Sequence, residues 1–243
     1  MMTRLVIELE DGSVDFHRGP QLQGVMFEHL DNEYADWLHV QQIHPYSQYG
    51  YKTRDGASEW VINVLNDEAY NYIIAPLLKS DFREIRFRGT DKPIEIVSKK
   101  VMNTDEKTMW KDSRNTSDDG SIAIDFLTPT AFKQAGHYVM IPDLRLIYQN
   151  LVMRYAPMAV DPEQYNVALI NELVESTQLT GYRLYTERFR IGKSIISGFM
   201  GRLNLRIIGT VDIRVLARFL FHFGEYSGTG IKVGMGMGAI RVV

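Results

Sequence analysis

Cysteine is absent from the 243-residue sequence. Its absence excludes disulfide bonds and thiolate metal ligands, and it suits a reducing cytoplasm, where we expect the protein to reside. The sequence also has no run of about 18 apolar residues, so no membrane-spanning helix and no membrane partner are expected. The segment after Arg4 is charged and alternating, and it therefore lacks the apolar core of a signal peptide.

Motifs for metal or serine catalysis are missing as well. None of the six histidines is paired with another at the four-residue spacing of a zinc-binding helix, and no cluster of Asp and Glu flanks them. We therefore predict no metal and no other cofactor. A Gly-x-Ser-x-Gly elbow does not occur, so serine hydrolase chemistry has no support.

Charge is unevenly distributed, although the net charge is only −3. Residues 1–119 carry 14 basic and 21 acidic side chains, whereas residues 120–243 carry 13 basic and 9 acidic ones. From Arg183 onward, 10 basic side chains face 3 acidic ones. A basic half interleaved with strands is typical of polyanion binding, although unequal halves also arise as solvated surfaces.

Glycine is concentrated near the C-terminus, with six glycines between residues 224 and 238. Apolar residues alternate with them and the last five residues read as a strand, so we predict an ordered element and not a flexible linker. This density permits positive φ angles, or it lets a ligand reach bare N–H groups beside the cation of Lys232. The segment follows a helix and precedes a strand, so it matches neither the phosphate-binding loop of nucleotide hydrolases nor the dinucleotide fingerprint.

Apolar periodicity in the first half predicts a mixed order of strands and helices. Strands are predicted at residues 3–10, 46–53, 59–65, 82–88 and 94–102, and helices at 20–30, 33–39 and 68–79. Asp67 is the predicted N-cap of the third helix, Pro76 is expected to kink or shorten it, and residues 54–56 carry a turn signal. The order is typical of a ferredoxin-like domain.

A polar stretch at residues 103–120 separates the halves, and we predict domains at residues 1–115 and 116–243. Met109 and Trp110 indicate that part of this stretch packs. The second half repeats the order, with strands predicted at 122–126, 138–141, 181–191, 195–208 and 239–243, and helices at 143–155, 161–174 and after Thr210. The predicted fold class is α+β, with two tandem ferredoxin-like (βαββαβ) domains and a C-terminal glycine-rich loop.

Two histidines, His39 and His44, lie where a predicted helix ends and a loop leads into a strand. Functional residues concentrate in such loops, but a lone histidine is more often structural or exposed than catalytic. His29 lies on an apolar helix face and His222 lies within the last helix, so we expect both to pack. Residue chemistry alone therefore leaves the role of His39 open.

Four stretches of the sequence resemble one known family, in order and over nearly the whole chain. They are Leu22 to Met26, Leu38 with His39, Phe126 to Lys133, and Gly224 to Lys232 followed by Gly234, Gly236 and Gly238. They resemble the CRISPR-associated repeat-processing endoribonucleases of the repeat-associated mysterious protein superfamily, and most of all the short form found with type III systems.

The resemblance implies a metal-independent endoribonuclease that cuts CRISPR precursor RNA within its repeats, using His39. Attack by a ribose 2′-OH would leave a 2′,3′-cyclic phosphate and a 5′-OH, with histidine acting as acid or base. A tyrosine that some members carry is replaced here by Phe27, and His44 lies near the place of a family lysine. The candidate partners of His39 are, in order, His44, Tyr46, Tyr49 and Lys52.

RNA binding is predicted at the glycine-rich loop and at a basic hairpin. The residues are Gly228, Gly230, Lys232, Gly234, Gly236, Gly238, Arg183, Arg188, Arg190, Lys193, Arg202 and Arg206. Tyr182, Tyr185, Phe189 and Phe199 interleave with the hairpin and would stack on bases or pack in the core. The resemblance also allows transient association with a type III effector complex and a homodimer. The alternative function is a non-catalytic RNA-binding subunit of a CRISPR effector complex, and a generic RNA-binding protein is a third hypothesis.

Overall fold

A computed structural model describes residues 1–10, 12–53, 56–89, 92–115 and 119–243. They form two compact units: Met1–Thr104 with Lys232–Met237, and Asp105–Ile231 with Gly238–Val243. The boundary predicted after residue 115 adjoins residues 116–118, which lie outside the described residues. The turn predicted at residues 54–56 likewise has its first two positions outside them.

The first unit is built on a five-stranded sheet. Its strands are β1 (Met2–Leu9), β2 (Tyr46–Lys52), β3 (Ser58–Val64), β4 (Glu84–Ile85) and β5 (Ile94–Thr104). The strand order is β2-β3-β1-β5-β4, and every neighbouring pair is antiparallel. Alternation along β1 places Leu5, Ile7 and Leu9 in the core. The strand predicted at residues 82–88 is shorter than expected, because only β4 pairs with β5.

Two helices, α1 (Gly19–Phe27) and α2 (Asn32–Val40), join β1 to β2, after a 3₁₀ turn at Phe16–Arg18. The second helical crossover, between β3 and β4, consists of α3 (Asp67–Ala69), a π-helical turn (Tyr70–Ile74) and α4 (Ala75–Leu78).

That crossover corrects the predicted N-cap and explains Pro76. Asn66, and not Asp67, is the cap, because its side chain accepts a hydrogen bond from the Ala69 N–H at 2.8 Å. Pro76 has no N–H to donate, and its ring would clash with an α-helical carbonyl four residues earlier. The π turn immediately before it widens the backbone and shortens the last α-helical segment, as a proline there requires.

The second unit repeats the strand order of the first. Its sheet consists of β6 (Ser121–Thr130), β9 (Thr177–Ile191), β10 (Ser194–Ile207) and β11 (Ile240–Val242), in the order β11-β6-β10-β9. All three pairs are antiparallel. In both units the first strand lies between the third and the last, which is the ferredoxin-like arrangement. A separate hairpin, β7 (Phe132–Gln134) with β8 (His137–Val139), replaces the strand predicted at 138–141.

The helices of the second unit are α5 (Glu106–Arg114), α6 (Leu144–Tyr155), α7 (Val167–Glu175) and α8 (Val211–Ser227). The prediction that a helix begins at Asp161 is wrong. Two 3₁₀ turns, Ala156–Met158 and Pro162–Gln164, come between α6 and α7 instead. Asn166 caps α7 by accepting hydrogen bonds from two backbone N–H groups, at 2.9 and 3.3 Å. As predicted, Thr210 caps α8.

Helix α5 lies inside the polar stretch at residues 103–120, where the domain boundary was predicted. Asp105 caps it by accepting a hydrogen bond from the Thr108 N–H at 2.7 Å. Met109 is buried, and the ring of Trp110 stacks on Phe219 with centroids 4.0 Å apart. The prediction that part of the stretch packs is confirmed, and the packing explains why the helix belongs to the second unit.

Candidate active site

His39 lies in the last turn of α2, in the first unit. Asp31 fixes the start of this helix by accepting hydrogen bonds from the N–H groups of Glu33 and Tyr34. Leu38 is fully buried, so the neighbouring His39 is held on the exposed side of an anchored helix end. Its ring lies 5.3 Å from the ring of Phe27, centroid to centroid. The imidazole is therefore both accessible and oriented.

A cleft of about 650 Å³ contains His39 in its lining. The other polar or open positions of the lining come from α1 and its C-cap, the start of α2 and the segment after β4: Gln21, Gln23, Gly24, Glu28, Asn32, Arg86 and Arg88. A concave site with amide, imidazole and guanidinium groups provides hydrogen-bond donors, acceptors and positive charge together. This combination suits a polar, anionic ligand.

His44 lies in the loop between α2 and β2, and Tyr46 is the first residue of β2. His44 is half-buried, and its ring centroid lies 5.4 Å from that of Tyr46. Tyr46 is fully buried, and its hydroxyl accepts a hydrogen bond from Nε2 of Gln23 at 2.8 Å. Burial raises the pKa of Tyr46 above its ordinary value. Its hydroxyl is thus a poor proton donor near neutrality, and it fixes the amide of Gln23, which lines the cleft.

The middle of the glycine-rich loop belongs to the same unit as His39. Lys232 is exposed and adopts a left-handed conformation, with φ at 58°, and Val233–Met235 form a 3₁₀ turn. A Cβ added to Gly234 would lie 2.9 Å from the hydroxyl oxygen of Tyr46. Glycine is therefore needed at position 234 because a side chain would crowd Tyr46, and not because the backbone has a positive φ.

The two ends of the glycine-rich loop lie in the second unit. Gly228, Gly230 and Gly238 all have positive φ, as does Gly236 in the middle. Their N–H groups donate to Gly224 O, Asn150 Oδ1, Pro129 O and, for Gly236, Val233 O. Of the two uses considered for these glycines, positive φ is the one found at these four positions, because their N–H groups are already hydrogen-bonded. Glycine is needed here because an L side chain rarely adopts such backbone angles.

A buried arginine supports this loop within the second unit. Arg154, on α6, donates from Nη2 to the carbonyl oxygen of Gly230 at 3.2 Å and from Nε to Asn150 at 3.0 Å. Its Nη1 has no hydrogen-bond partner among the described residues. Burial lowers the pKa of Arg154 to about 10. The sequence pattern did not single out Arg154 or Asn150, because helical position alone does not reveal which polar side chains face inward.

The six basic residues predicted to bind RNA in the hairpin of β9 and β10 are all exposed. Of these residues, Arg202 is already engaged in an ion pair, because Asp125 accepts two hydrogen bonds from it, at 2.6 and 2.8 Å. Asp125 raises the pKa of Arg202 and neutralises part of its charge. Of the interleaved aromatics, Tyr182 and Tyr185 are exposed, whereas Phe189 and Phe199 are in the core.

The part of the chain that the structure describes also bears on metal binding and on membrane insertion. No group of three or more His, Cys, Asp or Glu side chains in that part of the chain is arranged to hold a metal ion. No helix found there is long and apolar enough to cross a membrane.

The chain is similar in sequence to known proteins of one family. A family model described as CRISPR-associated endoribonuclease Cas6 matches residues 124–240. The CRISPR-associated endoribonuclease Cas6 of Mycobacterium tuberculosis is 34% identical over 246 residues, covering 99% of this chain and 78% of that protein. The corresponding protein of Streptococcus thermophilus is 30% identical, covering 96% of this chain and 92% of its own length.

Solved structures share the fold along the whole chain. Thermus thermophilus Cas6 has a TM-score of 0.71 at 23% identity and is covered to 98% by this chain. A Cas6 product complex has a TM-score of 0.80 at 22% identity, with both chains covered completely. The fold is therefore that of α+β proteins with two tandem ferredoxin-like domains. The chain belongs to the CRISPR-associated endoribonuclease Cas6 family, because it is 34% and 30% identical to two members over 99% and 96% of its length.

Proposed function

We propose that the protein is a metal-independent endoribonuclease that cleaves CRISPR precursor RNA within its repeats. The observation that carries the proposal is His39, exposed and oriented in a polar cleft of the first unit. Membership of the Cas6 family supports RNA cleavage, and related Cas6 proteins have been solved as product and substrate-mimic complexes.

The proposed reaction is an attack of a ribose 2′-oxygen on the adjacent phosphorus. A base removes the proton from the 2′-OH, a 2′-O–P bond forms, and the bond from phosphorus to the 5′-oxygen breaks. An acid then protonates the leaving 5′-oxygen, so the products carry a 2′,3′-cyclic phosphate and a 5′-OH. Histidine can perform either transfer because it titrates near neutrality. The nucleophile belongs to the RNA, so the scheme requires no metal.

We assign one proton transfer to His39 and propose His44 as its partner. Tyr46 was the next candidate, but its buried hydroxyl and raised pKa favour a supporting role through Gln23. Lys232 and the exposed hairpin cations would hold the phosphates, with Tyr182 and Tyr185 available to stack on bases. The division into domains at residues 1–115 and 116–243 remains a prediction. A cytoplasmic location, a homodimer and transient association with a type III effector complex remain predictions.

The test is incubation with RNA of one CRISPR repeat from the same genome, in EDTA, followed by analysis of the product ends. We expect undiminished cleavage and ends that carry a cyclic phosphate and a 5′-OH. A matched RNA with a single deoxyribose immediately upstream of the cut should remain intact while binding equally well. Loss of activity in EDTA, or cleavage of the deoxy substrate, would contradict the mechanism. Binding with no cleavage of either RNA would favour the non-catalytic subunit.

A further inference from the structure

Gly24 occupies the interior of α1, where glycine destabilises a helix relative to alanine. Other glycines of this unit have an evident reason: a Cβ at Gly19 would lie 2.2 Å from the Met235 carbonyl oxygen, and one at Gly50 would lie 2.3 Å from that of Asp15. Apart from its chain neighbours and the backbone of its own helix, a Cβ at Gly24 would meet no atom of the described residues within 4 Å. Packing of the described residues therefore does not require glycine at this position.

The open space over Gly24 belongs to the cleft that His39 lines. Without a side chain at this point, the α1 backbone itself forms part of the cleft wall. Glycine is used where a ligand must approach the backbone closely. The flat rings of a ribose or a base fit such a surface, and the reacting RNA strand must pass close to His39 if the proposed function holds.

Arg88 brings an available cation to the same cleft. Its Nε donates to Oε1 of Glu28 at 3.0 Å, and neither Nη1 nor Nη2 has a hydrogen-bond partner among the described residues. The side chain is 88% exposed, so this ion pair is weak in water and leaves the guanidinium accessible. Arg86 differs, because both its Nε and its Nη2 already donate to Glu84. The paired terminal nitrogens of Arg88 match two oxygens of a phosphate.

We propose that this cleft is a nucleotide subsite for the RNA strand next to the cut, with a phosphate on Arg88 and its sugar or base against Gly24. The subsite rests on the proposed function, because it assumes that the ligand in the cleft is RNA. Glu28 opposes the phosphate electrostatically and holds Arg88 across the cleft in the absence of RNA. The subsite thus adds a second binding element to the first unit, beside the middle of the glycine-rich loop.

The test compares variants by affinity for the uncleavable deoxy repeat RNA and by thermal unfolding. Gly24→Ala should bind about tenfold more weakly, a loss of about 1.4 kcal/mol, because the methyl group occupies the space of the nucleotide. The same variant should melt about 2 °C higher, because alanine favours the helix. A defect of folding cannot produce this opposite pair of shifts.

Arg88→Ala should also weaken binding about tenfold, and it should lower the slope of log affinity against log salt by about 0.7. Arg86→Ala should weaken binding less, because Glu84 already engages two of its nitrogens. Glu28→Gln should bind at least as tightly as wild type. Arg83→Ala is the matched control, since Arg83 is an exposed arginine of the same unit outside the cleft lining; its affinity should equal that of wild type.

Each outcome bears on one of the two proposals. Wild-type cleavage with unchanged affinity in Gly24→Ala and Arg88→Ala would overturn the subsite and leave the proposed function intact. A wild-type protein that neither binds nor cleaves repeat RNA would overturn both. A Gly24→Ala protein that melts below wild type would refute the premise that the space over Gly24 is open. Equal losses in Arg83→Ala and Arg88→Ala would reduce the effect to general charge and would also overturn the subsite.

Discussion

Gln48 and Gly234 are joined by a buried hydrogen bond, from Nε2 of the glutamine to the glycine carbonyl oxygen at 3.0 Å. The same Nε2 donates to the carbonyl oxygen of Gly19 at 2.8 Å, and Oε1 accepts from Nε1 of Trp60 at 2.9 Å. One fully buried amide thus ties the glycine-rich loop to the start of α1 and to the core of the first sheet. Networks of this kind are costly to break, because a partner left unsatisfied pays its full desolvation cost.

Gly234, which packs against Tyr46, should therefore contribute to the stability of the fold. Gly234→Ala should lower the free energy of unfolding by about 1–3 kcal/mol, because the new Cβ overpacks against a buried hydroxyl that cannot move freely. Denaturant unfolding measures this change. Gly24→Ala, with open space over its Cβ, is the matched control and should be stabilised. Equal or greater stability of Gly234→Ala would show that the loop does not pack on Tyr46 as described.

Removing the His39 imidazole should separate chemistry from binding. His39→Ala should reduce the single-turnover cleavage rate by about 10²–10⁴, the usual contribution of one general acid or base, with affinity for the deoxy substrate unchanged. His44→Ala should show a comparable loss if His44 protonates the leaving group and a smaller one if it only stabilises phosphate charge. His17→Ala is the control, because His17 is exposed in the same unit but outside the cleft lining. A wild-type rate in His39→Ala would remove the mechanism.

Tyr46→Phe tests whether the buried hydroxyl transfers a proton. It should leave the cleavage rate within about threefold of wild type, because the hydroxyl is enclosed and its pKa is raised by burial. It should lower stability by about 1 kcal/mol, since Nε2 of Gln23 loses its acceptor. Single-turnover rates and melting curves on one preparation provide both readouts. A rate loss as large as that of His39→Ala, with normal stability, would return Tyr46 to the catalytic set.

Cations that are already paired should matter less for RNA binding than free ones. Arg190→Ala and Lys232→Ala should each lower the salt slope of log affinity by about 0.7, the value for one phosphate contact to a single strand. Arg202→Ala should lower it less, because Asp125 already holds two of its nitrogens. Affinities across a salt series decide between these expectations. An Arg202→Ala slope that falls as far as that of Arg190→Ala would mean that RNA displaces Asp125.

Local patterns in the sequence predicted most elements, since alternation in β1 and the cap at Thr210 act over a few residues. Helix α5 was missed because its apolar side is only Met109 and Trp110, and its partner Phe219 lies far along the chain. The lining of the cleft was missed for the same reason. Arg88 and Gly24 are ordinary residues until the fold brings them beside His39.

The return of residues 232–237 to the first unit has a consequence for synthesis of the chain. Residues 1–104 leave the ribosome before Gly234 is made, so the hydrogen bond from Gln48 to Gly234 forms only after residue 234 has emerged. The N-terminal half therefore cannot finish maturing first, as domains arranged end to end usually do. A fragment ending at residue 104 or 115 would retain this unfinished surface permanently, whereas supplying the missing six residues as a peptide should complete it.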